Sequence, residues 1–292
     1  MIMVRTILTC VVVIALVLLP GCGSSQKAAK ATKTPSAQVE VTAAASNPEP
    51  KRAENVQYVE TETGRWLIHD VNRPAPSVIT PGADSTQAPS DAIVLFGATD
   101  PNLSEWTAGD GGAAKWIVRD GYMECTKGSG PVKTKRTFGS CQLHVEFATP
   151  EKVSGSSQGR GNSGVFLQGV YEVQVLDSYE NATYPDGQCA ALYGRAVPLV
   201  NACRKPGQWQ SYDIIYHRPT FEAGKVIKKA TFTVLHNGVL AHDHVQLSGG
   251  TGWQGPHKIS EYQSHGDKGP IMLQDHGNPV RFRNVWIREL KD

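Results

Sequence analysis

This 292-residue sequence predicts an all-β fold, a sandwich or barrel of antiparallel strands. Three observations predict it. From about Ile93 onward, short runs alternate apolar and polar residues with period two, as half-buried strands do. Asn237-Gly238 separates two such runs, and both residue types tolerate the positive φ that a two-residue hairpin needs. With 29 Gly and 18 Pro, turn residues are plentiful, and no amphipathic helix of useful length can be drawn.

The N-terminus comes first. Arg5 precedes an apolar run, Ile7 to Leu19, too short for a comfortable membrane span. Leu19-Pro20-Gly21-Cys22 follows and looks like a lipoprotein signal over residues 1–21, with Cys22 acylated. An ordinary secretory signal is the alternative, and either one implies export. The expected location is the cell envelope, lipid-anchored at the outer membrane or free in the periplasm, with the membrane reached through the lipid. Residues 22–53 are rich in Ala, Lys, Thr, Ser and Pro and read as a disordered tether. In residues 54–92, Pro74, Pro76, Pro81 and Pro89 argue against a long regular element, so an irregular extension is expected. Residues 93–292 then form one domain.

Its strands read in order. Trp116–Val118 is short. Cys141–Phe147 turns Leu143, Val145 and Phe147 inward. Gly164–Leu167 and Tyr171–Val175 follow. Tyr212–Tyr216, Ala230–Leu235, Val239–Leu247, Ile271–Leu273 and Val280–Ile287 complete the set. Trp209 and Tyr212 read as core. His242-Asp243-His244 has i,i+2 histidines but no third ligand in view, and reads as surface. The formal net charge of +2 excludes a strongly basic nucleic-acid binder.

Beyond Cys10 and Cys22, four cysteines remain: Cys125, Cys141, Cys189 and Cys203. No C-x-x-C pair occurs, which argues against a zinc site. Closeness in sequence favours disulfides Cys125–Cys141 and Cys189–Cys203; four buried thiols are the alternative.

Several blocks carry a resemblance. They are Asn162-Ser163-Gly164-Val165-Phe166, Tyr171-Glu172-Val173-Gln174-Val175-Leu176-Asp177, Tyr193-Gly194, Arg204 to Gln210, and Leu273-Gln274-Asp275-His276-Gly277-Asn278-Pro279 continuing to Asn284. In this order they resemble the 3-keto-disaccharide hydrolase family, also described as 3-keto-glucoside 1,2-lyase/2-hydroxy-glucal hydratase domains. The resemblance spans roughly Ile93 to Leu290. Phe96-Gly97-Ala98 departs from the Phe-Asp-Gly usual there. The resemblance implies a concanavalin-A-like jelly roll of two antiparallel sheets with a concave sugar-facing side. It also implies a 3-keto-disaccharide or 3-keto-glucoside as substrate, made by a sugar 3-oxidoreductase.

Glu172 and Gln174 are two apart on a strand and share a face. If Tyr171, Val173 and Val175 fill the core, this pair points out of the sandwich. A solvated strand face is the bland alternative. An ordinary glycosidase needs two carboxyls, about 5–5.5 Å apart for retention or about 6.5–9.5 Å for inversion. Glu172 and Asp177 have opposite parity and lie about 16 Å apart along an extended strand. Glu146, in the polar set Gln142, His144, Glu146, is the one other partner in view.

Elimination asks for less. A C3 ketone acidifies the C2 proton, so one base, one oxyanion stabiliser and positioning groups suffice. Glu172 or His276 could be the base. Asp275 to Pro279 is equally a turn composition, in which His276 would be structural. Arg204, or a divalent metal, could stabilise the charge. A metal held by Glu172, Gln174 and His276 would sit in an N/O site suited to Mn, Co or Ca. Gln174, Arg204, Gln274, Asn162 and Glu146 are the candidate substrate-binding residues. A non-catalytic carbohydrate-binding jelly roll would use the same face.

Overall fold

This computed structural model describes residues 57–84 and 86–291; the signal, Cys22 and the tether lie outside the described residues. The described residues fall into two compact units divided after Pro74. In the first, β1 (Tyr58–Thr61) and β2 (Gly64–Leu67) pair as an antiparallel hairpin. The sequence suggested irregular chain here. The prolines that motivated that reading begin only at Pro74, beyond the hairpin.

The second unit is a β-sandwich of jelly-roll type. In chain order its strands are β3 (Ile93–Phe96), β4 (Trp106–Ala108), β5 (Ile117–Arg119), β6 (Tyr122–Glu124), β7 (Val132–Thr134), β8 (Cys141–Ala148), β9 (Ser163–Leu167) and β10 (Tyr171–Val175). Then come β11 (Gln210–His217), β12 (Thr220–Glu222), β13 (Lys225–Lys228), β14 (Thr231–His236), β15 (Val239–Gln246), β16 (Met272–Leu273) and β17 (Arg281–Glu289). The five-stranded sheet has the order β10-β9-β16-β7-β4. The eight-stranded sheet runs β15-β14-β11-β8-β17-β6-β5, with β3 also on β17. Every pairing is antiparallel. The β14–β15 hairpin turns at Asn237-Gly238, with φ of 54° and 77°.

Alternation decides which side chains enter the core. Leu143, Val145 and Phe147 of β8 are fully buried, as are Tyr212, Ile214 and Tyr216 of β11. Facing them are Val165 and Leu167 of β9 and Tyr171, Val173 and Val175 of β10, in one apolar cluster. Buried tyrosines also pin the two sheets together through their hydroxyls. Tyr212 Oη donates to the Gln174 carbonyl (2.7 Å), and Tyr216 Oη donates to Gln168 Oε1 (2.6 Å).

Several expectations change. Tyr212 is core, but Trp209 is half-buried beside Tyr122 and under the guanidiniums of Arg281 and Arg283. His242 is buried rather than on the surface, and its Nε2 lies 2.8 Å from the Ala190 carbonyl oxygen. All four cysteines of the domain are free thiols. Cys125 Sγ donates to Asp275 Oδ1 (3.3 Å), which leads it away from Cys141, packed on β8. Cys189 and Cys203 are near enough to influence each other, but Cys189 Sγ lies 3.0 Å from Tyr212 Oη and Cys203 Sγ donates to the Leu176 carbonyl (3.7 Å). Closeness along the chain did not by itself set which thiols face each other.

Glu146 is corrected most sharply. It lies on β8 with parity opposite to the core residues, on the outer face of the eight-stranded sheet. There it accepts from Arg283 Nε (2.6 Å) and Asn284 Nδ2 (2.8 Å). His144, two residues before it, bonds Asp213 (2.7 Å) and stacks on Trp286. Burial opposes a charge on His144, but its hydrogen bond to Asp213 and the nearby Glu146 carboxylate (3.9 Å) outweigh it and lift its pKa to about 9. A folded pKa above the unfolded value, about 6.5, gives stability that is full below pH 6.5 and fades as pH rises through 9. Asp213→Asn should therefore cost on the order of 1–3 kcal/mol at pH 6 and clearly less at pH 10. Chemical denaturation at the two pH values measures this. An equal cost at both would show that the pair does not hold a charged histidine.

Candidate active site

β10 is an end strand of its sheet, so one edge would be left open. The loop between β10 and β11 closes it. Gln174 N–H donates to the Ala191 carbonyl and Ala190 N–H donates back to Gln174, both at 2.9 Å. Glu172 N–H donates to Thr251 Oγ1 (2.8 Å) on a second loop. These contacts bring Tyr184, Tyr193 and Trp253 to the outer face of the five-stranded sheet, around a cavity of about 360 Å³.

The floor of the cavity comes from strand parity. Glu172 lies opposite Phe166, and Gln174 lies opposite Gly164. Gln274, just past β16, donates its N–H to the Gly164 carbonyl (3.0 Å). Glu172, Gln174 and Phe166 line the cavity, with Gln274 beside them. Gly164 has to be glycine here. A Cβ at 164 would lie 2.2 Å from Glu172 Oε1 and 2.8 Å from Phe166 Cε2. The carboxylate lies directly over the bare backbone. Gly164→Ala should displace it and lower activity about 10²-fold, the cost of roughly 1 Å of misplacement. Steady-state kinetics on the folded variant checks this, and unchanged turnover would mean the carboxylate's position is immaterial.

Glu172 is 5% exposed, and burial alone pushes its pKa up to about 8. It differs in this from Glu146, which the nearby His144 imidazole and the hydrogen bonds from Asn284 and Arg283 hold down at about 2 against its burial. Around Glu172 the cavity presents acceptors. Gln174 Nε2 donates to Gln158 Oε1 (3.0 Å) and the Gly187 carbonyl (3.3 Å). Asn162 Nδ2 donates to the Gln158 carbonyl (2.7 Å). Those partners are acceptors, so each amide must place its NH₂ there and its oxygen elsewhere. Gln174 Oε1, Asn162 Oδ1 and Gln274 Oε1 are buried and have no hydrogen-bond partner among the described residues. Three orphan carbonyls and a lone carboxylate call either for hydrogen-bond donors, such as the hydroxyls of a sugar, or for a hard cation to coordinate.

The Gln-Asp-His-Gly segment divides its work. The strand ends at Leu273, and the chain then bends at Gly277-Asn278. Asp275 accepts from Gly277 N–H, Gly130 N–H and Cys125, a structural clasp. His276 is exposed and lines the cavity. Asn278 Oδ1 accepts from Asn162 N–H (2.8 Å) and holds that residue in place.

Asn162, Glu172, Gln174, Gln274 and His276 thus come together. Glu146 and Arg204 do not. The sandwich core separates Glu146 from this face. Arg204 is exposed and donates to the Trp209 carbonyl (2.8 Å) outside the cavity. Asp177 turns away to pair with Arg160 (2.6 Å). Sequence reasoning missed Gln158, Tyr184 and Trp253 and gave Tyr193, though part of a family-like block, no role; all four lie in loops and 3₁₀ turns without periodicity. A metal at Glu172, Gln174 and His276 would find a carboxylate, an unpartnered amide oxygen and an imidazole. That donor set fits a hard divalent ion. Among the described residues no three His, Cys, Asp or Glu cluster as a metal site, so amide oxygens would have to share the load.

Known proteins resemble this chain in sequence and in fold. The model of a family described as 3-keto-alpha-glucoside-1,2-lyase-like domain matches residues 91–288. A crystal structure of a candidate glycosyl hydrolase from Parabacteroides distasonis is 47% identical, with a TM-score of 0.72, covering 76% of this chain and 95% of that one. A second candidate glycosyl hydrolase from the same organism, 21% identical with a TM-score of 0.51, covers 69% and 94% and shares the fold. No curated protein matches.

Proposed function

The chain belongs to the 3-keto-alpha-glucoside-1,2-lyase-like family of glycosidase-like, carbohydrate-acting proteins, and from that premise we propose that it cleaves 3-keto-glycosides by elimination across C1–C2 followed by hydration. The observation that supports this best is the solitary carboxylate. Among the residues lining the inner cavity Glu172 alone is a carboxylic acid, whereas direct glycoside hydrolysis uses two.

The steps balance with one base. Glu172 takes the proton from C2, and the C2–H electrons form an enolate with the C3 ketone. The enolate collapses, expels the C1 oxygen substituent and leaves a C1–C2 double bond conjugated to the restored ketone. The leaving oxygen takes a proton from His276 at the rim. Water then adds at C1 and a proton returns to C2, so glycoside and water become 3-keto sugar and alcohol. Gln174, Asn162 and Gln274 accept hydroxyl protons of the sugar and fix its ring over Glu172. An array of acceptors suits a neutral sugar and repels a uronate. A divalent cation, where Glu172, Gln174 and His276 hold one, would supply Lewis acidity toward the substrate's oxygens.

This reading places the enzyme at the cell envelope, anchored through Cys22 or free in the periplasm. The support is the Ile7–Leu19 run and the Gly21-Cys22 junction. A sugar 3-oxidoreductase must supply the substrate there. The test is incubation with 3-keto-trehalose or a 3-keto-glucoside, with and without chelator, following release of 3-keto-glucose. A second reading, a non-catalytic carbohydrate-binding module, draws on the exposed Trp253 as a stacking surface. Binding of these compounds without turnover would select it.

A further inference from the structure

We propose that a second chamber, beyond the Tyr184–Tyr193 pair, is the leaving-group subsite and takes a flat aromatic aglycone. The inference rests on the proposed glycoside cleavage and names the substrate class it serves. The chamber measures about 530 Å³ and shares Tyr184, Tyr193, Gly252 and Trp253 with the inner cavity. A sugar seated over Glu172 therefore has this space open to its C1 substituent.

The two chambers differ in what they leave unsatisfied. The inner one holds three orphan acceptors. In the outer one several of the polar groups are already spent. Arg195 donates to the Gly250 carbonyl (2.7 Å), Ser248 Oγ (3.2 Å) and the Ser260 carbonyl. Tyr184 and Tyr193 hydroxyls bond each other (2.7 Å). Thr251 Oγ1 accepts from Glu172 N–H and donates to the Val170 carbonyl. Arg195, Thr251 and the two tyrosine hydroxyls are thus engaged within the protein, and the polar side chains left on the lining are Asp186, Gln254, His257, Lys258 and Ser260.

Ring and aliphatic surface remains. Trp253 is 63% exposed, Ile259 65% and Tyr184 40%. Tyr184 is held firm: its ring lies so close to Gly187 that a Cβ there would sit 2.0 Å from Cε2. Tyr184, Tyr193 and Trp253 put three aromatic rings on the chamber's lining, surface on which a flat ring can stack. Asp186 and Lys258 also line the chamber and suit the hydroxyls of a phenolic ring system. The outer space is larger than the sugar chamber, so a multi-ring aglycone fills it better than one more pyranose.

The experiment uses the full chain in two arms. In the first, KM is measured for a 3-keto phenyl glucoside and a 3-keto disaccharide. In the second, calorimetry measures binding of unoxidised phenyl glucoside and methyl glucoside, which needs no turnover. Wild type should favour the phenyl compound in both arms about ten-fold. Trp253→Ala should erase the preference and Trp253→Phe should keep most of it. Trp253 is largely exposed, so neither change threatens the fold. Equal values for phenyl and non-aromatic compounds, or a preference that survives Trp253→Ala, would overturn the subsite. Aromatic preference in binding with no cleavage of either keto compound would support the subsite and reject the catalytic reading.

Discussion

Glu172→Gln is expected to abolish cleavage of a 3-keto-glucoside while the protein still folds. The substitution keeps the shape of the side chain over Gly164 and its place opposite Phe166. It removes the titratable acid and its basic oxygens. A general base contributes about 10²–10⁴ in rate, and no other carboxylate lines the inner cavity to replace it. Burial of this unpaired acid is itself unfavourable, so the amide should leave stability unchanged or raise it. Single-turnover kinetics with a thermal melt reads both effects. Asp186→Asn is the informative control, because Asp186 is the carboxylate of the adjoining chamber. Near-normal turnover by Glu172→Gln with loss in Asp186→Asn would move the base there.

The second large effect lies in the substrate. A plain glucoside should be inert to the wild-type protein under conditions in which its 3-keto form is consumed. Without the ketone the electrons of the C2–H bond have no carbonyl to enter, and a carboxylate cannot remove that proton. Comparing release of the same alcohol from both compounds measures this. Equal rates would require two-carboxylate hydrolysis, which the cavity's lining does not offer.

Much of this site was legible in strand parity. Tyr171, Val173 and Val175 alternate with Glu172 and Gln174, and packing of the first three between the sheets leaves the other two on the outer face. Parity also led to the error at Glu146. It gives the side of a strand and says nothing about which sheet the strand joins, so two outward-facing glutamates can lie on opposite sides of the molecule. The same limit applies to Arg204, whose position depends on an irregular loop. Trp253, Tyr184 and Tyr193 reach the cavity through loops whose course is set by the backbone bonds closing β10. No periodicity marks such residues. The thiols show a related limit. Cys125 and Cys141 are near in sequence, yet an aspartate 150 residues from Cys125 captures its thiol.

The central claim is that the C2 proton leaves during catalysis. A 3-keto-glucoside carrying deuterium at C2 tests it directly, by comparing its rate with that of the protiated substrate and by following the label in the product. Elimination predicts a normal primary isotope effect and loss of deuterium to solvent beyond that of the substrate incubated alone. Equal rates with the deuterium fully retained at C2 would contradict it, because the C1–oxygen bond would then have broken without Glu172 ever taking that proton.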